Sequence, residues 1–174
     1  GFDAGADVVI YNATTSRTNV SNALDFKILG SGGFVDKSTV VHELICGETL
    51  NSLWCKAFRK TCYLNCFGKD VPRLLVSEDR LQSFEIVAAA QSFFLVDEPL
   101  YFYRPNPCSI IHSAYDSDYY HQACYVEGQL LRKMAMDETL ISAWAAFFLR
   151  YISACILRYS RDYSDCPFDK KAMF

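Results

Sequence analysis

The chain has 174 residues, 51% hydrophobic and 21% charged, a balance that excludes disorder as the resting state and leaves enough length to bury a core. Its 17 Lys and Arg stand against 20 Asp and Glu, and the net charge of −3 excludes a nucleic-acid binder that works by bulk electrostatics. Aromatic residues at 15% suit a packed core together with a groove for something flat, such as a sugar or a base.

The chain starts at Gly1 without an initiator Met, a few residues before its first apolar run. It is therefore expected to be a piece of a longer protein. Residues 8–11 (Val-Val-Ile-Tyr) read as a buried strand. Residues 12–22 are polar and rich in Ser and Thr, and they predict a surface loop. Gly30-Ser31-Gly32-Gly33 is a flexible turn that lacks the Lys-Ser/Thr of a phosphate-binding P-loop. Residues 36–46 predict a helix capped by Ser38, with Val40, Val41, Leu44 and Ile45 at helical spacing and Gly47 as its stop. Residues 53–58 alternate loosely, as in a short strand, and 59–65 turn into helix.

Between residues 56 and 73, five cations (Lys56, Arg59, Lys60, Lys69 and Arg73) face a single acid, Asp70. This is a local positive patch, either a solvated face or an anion site. Residues 80–91 predict a helix with Leu81, Phe84, Val87 and Ala88 on one face, Ser77 as its cap, and Glu78 and Asp79 where the helix dipole favours acids. Two strands follow, 93–96 and 100–103, joined by Asp97-Glu98-Pro99, and the prolines at 105 and 107 end regular structure. The last third is helical. Residues 116–136 carry Tyr120, Ala123, Cys124, Leu130, Leu131 and Met134 in a 3.6-residue rhythm, and Asp116-Ser117-Asp118 reads as an N-cap cluster. Residues 140–159 are apolar nearly all round, but Arg150 lies mid-run, which favours a buried or interface helix over a membrane span.

The eight cysteines include no CxxC pair, and only three histidines accompany them. Free, mostly buried thiols in a reducing cytoplasm are expected, rather than a zinc site or a disulfide framework.

Three segments carry a resemblance. They are Asn51-Ser-Leu-Trp54-Cys-Lys56-Ala-Phe-Arg59-Lys60, then Ser77-Glu78-Asp79-Arg80, then Glu98-Pro-Leu-Tyr101-Phe-Tyr103-Arg104 with Ser109-Ile110. In this order and spacing they resemble the second half of bacterial family-2 glycosyltransferases of the GT-A fold. Residues 7–10 are similar to the strand that follows the metal-binding DxD segment of that family. The resemblance implies an α/β fold: a partial GT-A-type mixed sheet with flanking helices (1–112), followed by a C-terminal helical hairpin (113–174). It implies an inverting transferase that moves a sugar from a nucleotide-sugar donor to a glycan or lipid-linked acceptor in cell-surface polysaccharide synthesis. That work would be done in the cytoplasm, with possible peripheral association at the inner face of the membrane.

By this match Asp79 is the base for the acceptor hydroxyl, and Glu78 orients it or holds the acceptor. Helix capping is the competing role for both. Trp54 falls on the acceptor side, where an indole stacks on a sugar, or else it packs in the core. Lys56 and Arg59 face a diphosphate, an anionic acceptor or solvent. Tyr103 and Arg104 border the site, and Arg104 contacts phosphate or pins its loop. His112 is a metal-ligand candidate or a surface histidine. The family uses a divalent metal, Mg or Mn, but the chain contains neither the donor-binding half nor a convincing DxD. The isolated chain is thus expected to bind no metal and to be inactive. Its unpaired sheet edge, or residues 140–157, should drive self-association. The competing reading is a non-catalytic binding or assembly domain.

Overall fold

The computed structural model describes residues 1–18, 20–21, 29–47, 49–64, 74, 77–104, 106, 117–134 and 138–162, with the backbone alone for 117–120, 155 and 158–162. The expected fold class holds at the level of a mixed α/β protein, with five helices and a four-stranded mixed sheet among the described residues. β1 (Val8–Thr14) lies inside the sheet and is buried along most of its length. It runs parallel to β4 (Phe93–Phe102) and antiparallel to β3 (Lys56–Phe58). β2 (Gly33–Val35) closes the other side antiparallel to β4, giving the order β2-β4-β1-β3. An inner strand covered on both faces reads as the near-continuous apolar run of residues 8–10.

Two expectations about the strands need correction. The loop expected over 12–22 starts only after Thr14, because β1 continues through Asn12 and Ala13. Asn12 is fully buried: its Oδ1 accepts the Ala13 amide at 2.9 Å and its Nδ2 reaches Asp97 Oδ1 at 3.5 Å. The two strands expected at 93–96 and 100–103 are a single strand. Its partners shift from Tyr11↔Val96 to Asn12↔Pro99 and Ala13↔Tyr101, so Asp97 and Glu98 are taken up in a bulge. A bulge is also where a strand tolerates a proline.

α1 (Lys37–Cys46) buries Val40, Leu44 and Ile45, as its period requires. Its cap is Asp36 rather than Ser38, and Gly47 ends it by donating to Glu43 O at 2.8 Å. Gly47 has ordinary negative φ, so its reason is space: a Cβ there would run into the Glu43 carboxylate and carbonyl. The strand expected at 53–58 begins as a 3-10 turn (Leu53–Cys55) before β3, and α2 (Lys60–Leu64) follows. α3 (Glu78–Ala89) starts two residues earlier than expected, and its C-terminal carbonyls at Ala88 and Ala90 both accept Lys37 Nζ at 2.7 Å.

α4 (Ser117–Lys133) buries Ala123, Val126 and Leu130 at helical spacing, and Met134 just beyond its end. One hydrophobic cluster joins Val126, Leu130 and Met134 to Ile10, Leu44, Ile86 and Phe93, so it draws on both sides of residue 112. α5 (Glu138–Asp162) is not buried all round: Phe147 is 3% exposed, but Leu149 and Leu157 are 68% and 71% exposed. Among the described residues, no helix is long and apolar enough to cross a membrane. Cys46, Cys55, Cys62 and Cys124 are free thiols, as expected, and the other four cysteine side chains lie outside the described residues.

Candidate functional site

The topology decides which residues meet. β1 and β4 run in the same direction, so their carboxyl ends lie at one end of the sheet. β3 runs opposite to β1, which brings the 3-10 turn before it to that same end. α3 ends just before β4 begins and leads back along it, so the helix starts at that end too. Open α/β sheets bind ligands in this position, outside the carboxyl ends of parallel strands.

Asp79, in the first turn of α3, reaches across to the 3-10 turn: its Oδ2 accepts the Leu53 amide at 3.4 Å. The next residue, Trp54, packs its indole on two tyrosines. Tyr101 stacks at 5.5 Å with 19° between planes, and Tyr103 tilts at 5.3 Å and 48°. Tyr103 is held by its own amide, which donates to Thr14 O at 2.9 Å. Trp54 and Tyr103 are half-buried and Tyr101 is 40% exposed, so the cluster forms a ledge at the surface. Tyr11 extends it from β1, its hydroxyl 3.5 Å from Lys56 O. Burial pushes the Tyr11 hydroxyl up from its usual pKa, with Cys55 and Tyr101 adding to the effect. Asp79, Trp54 and Tyr103 thus come together, with Glu78 half-buried beside Asp79.

The cations expected to join them do not all do so. Lys56 is 4% exposed, and its ammonium donates to Leu50 O at 2.6 Å, to Ser52 O, and towards Cys55 Sγ at 3.4 Å. It does not face solvent or a free anion; it ties down the loop that presents Leu53 and Trp54. Burial pushes its pKa down, while Cys55 and Asp79 push it up. Arg59 lies at the other end of the sheet, where its Nε donates to Ala6 O at 2.9 Å and faces Asp7 at 3.8 Å. It braces the amino end of β1, because a residue after β3 is carried away from the carboxyl end of β1. Arg104 is exposed at the rim, one residue beyond Tyr103. His112, Lys69 and Arg73 lie outside the described residues.

The cysteine next to the site is inert. Cys55 is fully buried, burial raises its pKa against the pull of Lys56, and its thiol donates to Ser52 O at 3.0 Å. Among the described residues, no three His, Cys, Asp or Glu side chains converge on a point that could hold a metal ion. The divalent metal implied by the resemblance therefore has no ligand set among them.

Two features of the site escape a reading of the sequence. Tyr101 had a usable signal: it lies two residues before Tyr103, and residues two apart on a strand share a face. The second is Arg80. It is 5% exposed and forms an ion pair with Glu127 of α4, Nε to Oε1 at 2.6 Å. It also donates to Leu44 O at 2.9 Å, Asn51 Oδ1 at 2.7 Å and Ile45 O at 3.2 Å, and its guanidinium lies 4.2 Å from the centre of the Phe147 ring. Nothing near residue 80 in the sequence announces a partner 47 residues away.

No protein-family model matches the chain, and no curated protein matches it.

Proposed function

We propose that the chain is the acceptor-side half of an inverting glycosyltransferase, acting on a glycan or lipid-linked acceptor in cell-surface polysaccharide synthesis. One observation carries the reading: a carboxylate, Asp79, at the carboxyl ends of β1 and β4 beside a ledge of Trp54, Tyr101 and Tyr103. The apolar face of a pyranose stacks on such rings, while its hydroxyls stay free to meet an acid.

In the reaction the acceptor hydroxyl attacks the anomeric carbon of the donor sugar. A new carbon–oxygen bond forms, the bond to the diphosphate breaks, and the nucleoside diphosphate leaves with the electron pair. Asp79 takes the hydroxyl proton as attack proceeds. Glu78 orients the acceptor. Lys56 contributes indirectly, by holding the loop that carries Trp54. Arg104 is the one cation of the sequence motif exposed at the rim of the ledge. The donor nucleotide, and the divalent metal that neutralises the leaving diphosphate in the family, belong to the donor-side half. No step assigned to this chain passes through them. The work belongs in the cytoplasm, with the acceptor at the inner face of the membrane.

The test is nucleoside diphosphate release from UDP-, GDP- and TDP-hexoses by the full-length protein, with and without a membrane extract as acceptor source. Asp79→Asn should lower acceptor-dependent release by about 10²–10⁴-fold, the usual worth of a general base. Glu78→Gln should cost less. Full activity in Asp79→Asn removes the catalytic assignment. The competing reading, a binding or assembly domain, draws on the exposed Leu149 and Leu157 of α5, and it gains if the wild-type protein releases nothing.

A further inference from the structure

The acid pair at the start of α3 is flanked by two residues that tie it to other elements. Before it stands Ser77, whose backbone is left-handed, with φ 58° and ψ 10°; among the described residues it is the only non-glycine with positive φ. A residue with a Cβ keeps that conformation only where its surroundings over-determine it, and such sites cluster where geometry matters to function. Ser77 Oγ lies 3.4 Å from the Tyr151 hydroxyl of α5. After the pair stands Arg80, bound to Glu127 of α4 and covered by Phe147 of α5. Glu127 itself is 2% exposed, and its Oε2 accepts Trp144 Nε1 from α5 at 2.8 Å. The two residues between these anchors are Glu78 and Asp79.

We propose that the α4–α5 hairpin is a positioning device for Asp79, with Arg80, Glu127 and Tyr151 as its positioning residues. The proposal rests on the glycosyltransferase reading for the role of Asp79. A buried charge pair is a poor source of net stability, because desolvation offsets its attraction. It is a good source of fixed geometry, because a guanidinium with five acceptor atoms on four residues has one arrangement. Arg80 binds Leu44 O, Ile45 O and Asn51 on one side and Glu127 on the other. It thereby locks the first turn of α3 to the loop that leads to Leu53 and Trp54. The carboxylate and the ring ledge are held in one frame, and the hairpin closes that frame from outside.

The Leu53 amide reports directly on the device, because Asp79 is its hydrogen-bond acceptor. Its hydrogen exchange is to be followed by NMR in the full chain. Asp79→Ala, which removes both carboxylate oxygens, sets the rate without the acceptor. Glu127→Gln and Tyr151→Phe should each speed Leu53 exchange towards that rate, by about 10-fold, one unit of ten in the opening equilibrium. Lys133→Gln is the control: it breaks the 2.6 Å ion pair between α4 and Glu85, one to two turns further along α3, and should leave Leu53 alone. In turnover, the same two variants should lower kcat by roughly 10- to 100-fold and leave the donor KM within about twofold, the signature of misplacement rather than lost binding.

Should Glu127→Gln fail to fold, Tyr151→Phe, which removes one hydroxyl, decides alone. Unchanged Leu53 exchange and unchanged kcat in Tyr151→Phe overturn the proposal, as does an equal response to Lys133→Gln. If the wild-type protein turns over no nucleotide sugar, the glycosyltransferase reading falls. The Leu53 rates then still decide whether the hairpin holds Asp79 in place.

Discussion

Asp7 accepts hydrogen bonds from the Gln91 and Ser92 amides at 2.9 and 3.2 Å, and it faces Arg59 at 3.8 Å. The Gln91 bond is the largest influence on its carboxyl and holds the pKa below the usual 3.8, against a smaller opposing effect of burial. A carboxyl whose folded pKa is depressed contributes stability above its unfolded pKa, and loses it as pH falls through the folded value. Asp7→Asn should therefore cost about 1–2 kcal/mol at neutral pH, mostly from the charge-assisted amide bonds. The gap between variant and wild type should close as the pH falls below 3.8 and through the lowered folded value. Urea unfolding at a series of pH values measures this, and a gap independent of pH would refute it. The Arg59 contact contributes little, since Arg59 is half-exposed and such pairs are screened.

At the scale of elements, the helices were largely legible and the strands less so. α1 and α3 announce themselves because their apolar residues recur at 3–4 positions between clear stops. β4 does not, because Asp97-Glu98-Pro99 has the composition of a turn. Only the parallel neighbour β1 reveals that these residues are a bulge within one strand. The site divides in the same way. Asp79, Trp54 and Tyr103 could be grouped from the motif. The exclusion of Arg59 depends on the antiparallel register of β3, which no local pattern encodes. The Arg80–Glu127 pair joins helices 47 residues apart in sequence. Packing gives α4 and α5 different tolerances. Leu130 is fully buried in the main cluster, and Leu130→Ala should cost about 2–5 kcal/mol. Leu157 is 71% exposed, and Leu157→Ser should stay within about 0.5 kcal/mol. Chemical denaturation of the two variants side by side checks the contrast.

For the molecule as a whole, apolar side chains remain at the surface in several places. Phe34 on β2 is 61% exposed, Leu64 after β3 is 63%, and Leu149 and Leu157 on α5 are higher still. Apolar area of this kind, together with β2 and β3 as the edge strands of the sheet among the described residues, should drive association of the chain with itself. Light scattering coupled to size exclusion should give a mass above 19.8 kDa that rises with concentration. Replacing Leu149 and Leu157 by Glu should reduce it if α5 is the contact. A clean monomer at high concentration would count against both routes.

The pairing of β1 with β4 also sets a timetable. Val8 meets Phe93, 85 residues later, and these two strands are the sheet's interior. During synthesis at about 5–20 residues per second, β1 must wait roughly 4–17 s before its parallel neighbour begins to emerge. In that interval β3 is the one described strand available to pair with β1. A nascent chain therefore carries β1 without its parallel neighbour throughout that interval, which makes it a natural client for chaperones.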